Sequence, residues 1–182
     1  MFIQSLNGTW QLYKPADPSF NIPVTVPGSV YTAYLDAGLM EDPYKGENQY
    51  EAERISEEDH SFVTSFAVGE DIRSSEKIYL HFDGVDTAAE IFFNGISVGT
   101  CCNMHRTYEF DVTDLISSDE LQQLTVRFIS PVNYITEKNG ELPLWGVSST
   151  MAGYPHMRKA HYMFGWDWGP VLPDMGLWRG VS

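Results

Sequence analysis

Asp167 stands between two tryptophans in the stretch HYMFGWDWGP, residues 161–170. Tyr162, Phe164, Trp166 and Trp168 crowd four aromatic rings into seven residues around this one acid. A sugar ring has apolar C–H faces that stack on indole, and hydroxyls that donate to a carboxylate. Trp166, Asp167 and Trp168 therefore make a chemically apt surface for holding a sugar. A second assignment is purely structural: the tryptophans plug the base of a sandwich, and Asp167 caps a turn before Gly169-Pro170. The local residues alone leave both open.

Other reactive groups are sparse. Cys101 and Cys102 are adjacent, and neighbouring cysteines bridge only through a strained ring, so two free thiols are expected. No C-x-x-C spacing is present, and no metal or cofactor is expected. His105, His156 and His161 read as local hydrogen-bonding residues. Trp10, Trp145 and Trp178 read as core or domain-interface residues.

The elements that must position these groups are mostly strands. HSFVTSFAV (60–68), KIYLHFDG (77–84), AAEIFFNG (88–95), ISVGTC (96–101), TYEFDV (107–112) and LTVRFIS (124–130) alternate apolar or aromatic residues with polar ones. That period of two marks half-buried strands. Asn94-Gly95 is a hairpin turn signal. One helix is predicted over 29–37, SVYTAYLDA, with Ser29 as its cap and Gly38 at its end. A further short turn is predicted after Thr113, in DVTDLIS. Residues 41–59 read as a polar, turn-rich connection. The pattern predicts two packed antiparallel sheets in a jelly roll or related barrel, with one or two short helices.

Composition narrows the function classes. The 182 residues suit one domain with a sizeable core. Twenty-five acidic residues against 11 basic ones give a net charge of −14, which argues against nucleic acid and against anionic membranes as partners. No apolar run approaches the roughly 18 residues of a membrane span. The start, MFIQSLNGTWQLYK, lacks the features of a secretory signal, so the expected compartment is the cytoplasm.

Specific words carry the reading further. LNGTWQLYK, VTVPGSVYTAYLDAGLMEDPYKGEN, LHFDGVDTAAEIFFNGISVGTCCNMHRTYEFDVTDLI and RKAHYMFGWDWGPVLPDMGLWRGV together resemble the amino-terminal domain of glycoside hydrolase family 2 enzymes. The likeness runs from about Leu6 to Val181. FDGVDTAAEIFFNG suits several branches, β-galactosidases and β-glucuronidases included. FGWDWGP preceded by RKA is most similar to the β-mannosidase branch.

The resemblance implies a galactose-binding-domain-like jelly roll over residues 1–182, followed in such enzymes by an immunoglobulin-like domain and a TIM barrel. The barrel, which needs about 250 residues, carries both catalytic glutamates. Retaining hydrolysis requires two carboxyl groups roughly 5 Å apart, and no matched pair is evident in this chain. Glu57-Glu58-Asp59, its densest acidic cluster, lies in a turn-rich stretch read as solvated. No catalytic residue is therefore assigned here, and the chain alone is expected to be inactive.

By the same resemblance, Asp167 reaches the barrel mouth and holds hydroxyls of a terminal β-mannoside, with one of Trp166 and Trp168 facing the ligand while the other packs. Asn103, in CCNMHR, matches an Asn used by the β-galactosidase branch; the alternative is a turn Asn satisfying its own backbone. Arg158, in HMRKA, is a candidate to face the ligand, pairing with Asp167 or with a barrel residue. The chain departs from the family pattern at 54–55 and 59–62, where His60 replaces an aromatic at a core or interface position. Cut from its neighbours, a face rich in Trp and Tyr is expected to self-associate. A free-standing carbohydrate-binding module, or a domain of a β-galactosidase or β-glucuronidase, remains an alternative.

Overall fold

Twelve strands and four α-helices follow one another along residues 1–182, all of which a computed structural model describes. The strands are β1 (Gly8–Lys14), β2 (Asp17–Val26), β3 (Gly28–Ser29), β4 (His60–Phe66), β5 (Tyr79–Phe82), β6 (Ala88–Phe93), β7 (Ile96–Cys102), β8 (Tyr108–Asp111), β9 (Gln122–Phe128), β10 (Phe164–Trp166), β11 (Gly169–Val171) and β12 (Gly176–Leu177). The helices are α1 (Val30–Asp36), α2 (Gln49–Ser56), α3 (Glu70–Arg73) and α4 (Pro131–Glu141).

The six-stranded sheet runs β2-β1-β4-β9-β6-β7, every neighbour antiparallel. Burial follows the period of two. In β9, Leu124, Val126 and Phe128 point inward while Gln123 and Arg127 face solvent. Register then stacks inward residues across strands: Phe62 opposite Val126, and Val126 opposite Ile91. The β5–β8 pair supplies Leu80, Phe82 and Tyr108 to the same 28-residue core. Residues 180–182 add to this second layer through backbone bonds from Asp83 to Gly180 and between His81 and Ser182. The result is the jelly-roll sandwich that the periodicity predicted. Asn94 and Gly95 take positive φ, +49° and +78°, and turn β6 into β7 as their sequence required.

Helix α1 occupies its predicted place. Ser29 and Thr32 exchange side-chain and backbone bonds in a capping box, and Tyr31, Ala33 and Tyr34 are buried. Three helices stand outside the sequence-based expectation: α2, the single-turn α3 (Glu70–Arg73), which buries no side chain, and α4. Helix α2 lies inside the stretch read as a turn-rich connection, and buries Ala52, Ile55 and Ser56. Helix α4 starts at Pro131 after the Ser130 cap and buries Ile135. The two are tied together, since Ser130 Oγ donates to the Ser56 carbonyl at 2.6 Å and Asn133 to that of Glu57 at 2.7 Å. The acidic cluster is used structurally: Glu58 meets Lys14 at 2.9 Å, and Asp59 accepts the Ser130 N–H at 2.9 Å.

His60 is fully buried in the core. Its Nδ1 lies 3.0 Å from the Glu58 carbonyl, which can only accept, so Nδ1 carries the proton. Nε2 is then the acceptor for the Tyr34 hydroxyl at 3.1 Å. Burial pushes the imidazole pKa down to about 4 from 6.5. Between those values the unfolded chain binds a proton that the folded chain does not. Stability therefore falls as pH drops from 6.5 toward 4, by up to about 3 kcal/mol from this group. His60→Gln should destabilise the domain at pH 7, with the melting-temperature gap to wild type shrinking steadily by pH 4.5. A gap constant with pH would rule out the buried neutral histidine.

Candidate functional site

Strands β10 and β11 form a short hairpin, with Phe164 opposite Val171 and Trp166 opposite Gly169, so Asp167 and Trp168 are its turn. The root is planted. Phe164 is fully buried in a small second core with Ala88, Ile135 and Met157. Its carbonyl accepts from Met151 N–H at 2.9 Å, and Leu172 N–H donates to the Met163 carbonyl at 2.9 Å. Gly165 takes φ +91°, and a Cβ there would lie 2.7 Å from Val171 Cγ2. Only glycine lets the two strands of the root close.

The tip is free. Asp167 is exposed and its carboxylate accepts no hydrogen bond from the chain. It caps no turn. Trp166 and Trp168 meet edge to face at 5.5 Å between centroids. Their exposures differ, 40% for Trp166 against 82% for Trp168, so neither plugs the sandwich. Trp166 and Trp168 also line a cavity of about 1070 Å³ between the hairpin, α1 and residues 42–44. Tyr31, Tyr44, Tyr162 and Asp174 line it as well. Asp174 bonds the N–H groups of Tyr31 and Met175 at 3.0 and 2.8 Å, and burial pushes its carboxyl up to about 6.

The hairpin and the sandwich that carries it match a known family model, that of the glycosyl hydrolase 2 galactose-binding domain-like domain, over residues 10–179. The chain belongs to this family. The domain is 34% identical to the β-mannosidase of Mus musculus and 35% to that of Rattus norvegicus, in each case over 97% of this chain and 21% of the relative. It superposes on the β-D-mannosidase of Dictyoglomus thermophilum with a TM-score of 0.93 and 35% identity, over all of this chain and 22% of that one. The exo-chitosanase of Amycolatopsis orientalis shares the fold, with a TM-score of 0.70 at 19% identity. The chain thus spans about a fifth of the length of the curated relatives it matches.

Within this glycosyl hydrolase 2 domain, the other candidates fall into a separate pair. Asn103 and Arg158 face each other through a backbone bridge, and Met104 N–H donates to the Arg158 carbonyl at 3.0 Å. Asn103 Oδ1 accepts the N–H of His105 at 2.9 Å, the turn geometry that was the alternative to a ligand role. Arg158 is exposed and makes no ion pair; the pairing with Asp167 raised from the sequence does not form. No hydrogen bond or ion pair links Asn103 or Arg158 to the Trp-Asp-Trp tip.

His156 and His161 bond the carbonyls of Leu142 and Met157 at 2.9 and 3.1 Å, as local residues. Trp10 is core, with Nε1 donating to Leu6 at 2.8 Å, whereas Trp145 and Trp178 are exposed. Cys101 is a buried thiol and Cys102 an exposed one. Sequence reasoning missed Lys159, Asp86 and Asp174. Lys159 is the middle residue of RKA, and its side chain is entirely buried against the Asp86 carboxylate.

Proposed function

We propose that this chain is the N-terminal domain of a β-mannosidase that removes terminal, non-reducing β-D-mannose residues with retention of configuration. In this reading the domain packs on a downstream barrel that holds the catalytic carboxylates, and lends the Trp166-Asp167-Trp168 tip to the subsite for the terminal sugar. The observation that carries the proposal is the state of Asp167: a carboxylate with no partner in its own chain, between two partly exposed indoles, on a hairpin rooted in a core. A free acceptor beside flat apolar faces is the arrangement that sugar hydroxyls and C–H faces require. The high likeness to β-mannosidases over the whole chain supports the choice of mannoside.

The isolated residues 1–182 should show no turnover of an aryl β-mannoside and weak or undetectable binding of mannose by calorimetry, because the remainder of the site lies elsewhere. Turnover that survives repurification would contradict the reading. Tight mannose binding without turnover would favour a free-standing carbohydrate-binding module instead.

A further inference from the structure

The segment that carries Asp167 begins and ends on one ammonium group. Lys159 precedes the hairpin and Asp174 follows it, 15 residues later, and Lys159 Nζ donates to the Asp174 carbonyl at 2.6 Å. The same nitrogen pairs with the Asp86 carboxylate. Asp86 in turn exchanges two backbone bonds with Gly176, both 2.8 Å, and accepts a bond from the Thr87 hydroxyl. The Asp174 carboxylate holds the first turn of α1 through Tyr31 N–H at 3.0 Å. Both ends of the loop are therefore fastened to each other and to the sandwich at a point remote in sequence from the tip.

We propose that Lys159, clamped between Asp86 and the Asp174 carbonyl, is the positioning residue that sets where the Asp167 hairpin points. This rests on the proposed role of Asp167 at the sugar. A buried ion pair is a poor device for stability alone, since apolar replacements of both partners often serve as well. It is a good device for direction, because the ammonium satisfies two acceptors at one position only. A hairpin with three-residue strands is not stable by itself; Phe164 plants its root at one point, and the tie between Lys159 and Asp174 fastens the two chain ends that lead into it. Three strand residues rise about 10 Å, so a tilt of about 10° at the base carries the tip about 2 Å. A displacement of even 1 Å at a reacting sugar can lower rate by about 100-fold.

The test is a cycle in the full-length enzyme, with Lys159→Met, Asp167→Asn and the double variant assayed on an aryl β-mannoside. Concentrations are corrected by active-site titration, so unfolded protein does not count. Lys159→Met should lower kcat/KM about 5- to 10-fold, mainly in kcat, and should add less than about twofold in the Asp167→Asn background. Lys159→Met with Asp86→Leu removes both charges and should retain the kinetic defect while recovering melting temperature. Multiplying penalties, or a normal kcat in titrated Lys159→Met or in the charge-free pair, would overturn the clamp and leave the role of Asp167 standing. A normal rate for Asp167→Asn alone would overturn both.

Discussion

In the β-mannosidase to which we propose this domain belongs, Asp167→Asn should lower kcat/KM for an aryl β-mannoside at least 10-fold, about 1.4 kcal/mol, with the melting temperature nearly unchanged. Hydrogen bonds from sugar hydroxyls to a carboxylate are charge-assisted and contribute about 1.5–3 kcal/mol each. Asparagine keeps the shape, removes the charge and puts a donor where an acceptor is wanted. If the bonds tighten as the ring distorts toward the transition state, their loss appears in kcat as well as in KM. Stability should be spared because the carboxylate is exposed and makes no bond within the domain. A drop in melting temperature with normal kinetics would instead mark Asp167 as a structural residue.

Phe128→Ala should do the opposite. Phe128 ends β9 on the inward face, fully buried, with its ring edge to face against Phe62 at 5.0 Å and 71°. In the registers it lies opposite His60 and Ala89, so two strands pack around it. Truncation removes the buried ring and leaves a cavity that rigid strands cannot close, for a loss of about 3–5 kcal/mol. That is a large share of the roughly 5–15 kcal/mol available to a domain. Urea titration of residues 1–182 should show the midpoint falling sharply with an unchanged slope. Titrated active sites in the proposed parent enzyme should keep near-normal kcat, since Phe128 belongs to the main core and Phe164, under the hairpin, to a separate one. A loss below about 1 kcal/mol would mean that this core is looser than the burial of Phe62 and Phe128 implies.

These two residues also show what a sequence reveals. Phe128 was legible from alternation, and Asn94-Gly95 and Ser29 from local turn and cap chemistry, because each signal lies within a few residues of its effect. Helices α2 and α4 were not legible in that way. Each is short and buries few apolar side chains, Ala52 and Ile55 in one and Ile135 in the other, and its position is fixed by bonds between the two helices. Trp166, Asp167 and Trp168 stood out by composition, but the sequence did not say which indole was the more exposed. Pairing across the hairpin sets that, leaving Trp168 in the turn. Lys159 was invisible for a further reason. Its partner Asp86 lies 73 residues away, and no local pattern announces a buried ion pair.

The central claim is that Asp167 holds hydroxyls of the terminal sugar. Wild-type enzyme and Asp167→Asn can be compared on an aryl β-mannoside and on its 2-, 3- and 4-deoxy analogues, in the same buffer and with titrated sites. Removing the hydroxyl that Asp167 binds removes the reason for the penalty. The account predicts that the 10-fold or greater loss shrinks to about threefold or less for at least one deoxy sugar and persists for the others. An undiminished loss on every analogue, or no loss on any substrate, would contradict it.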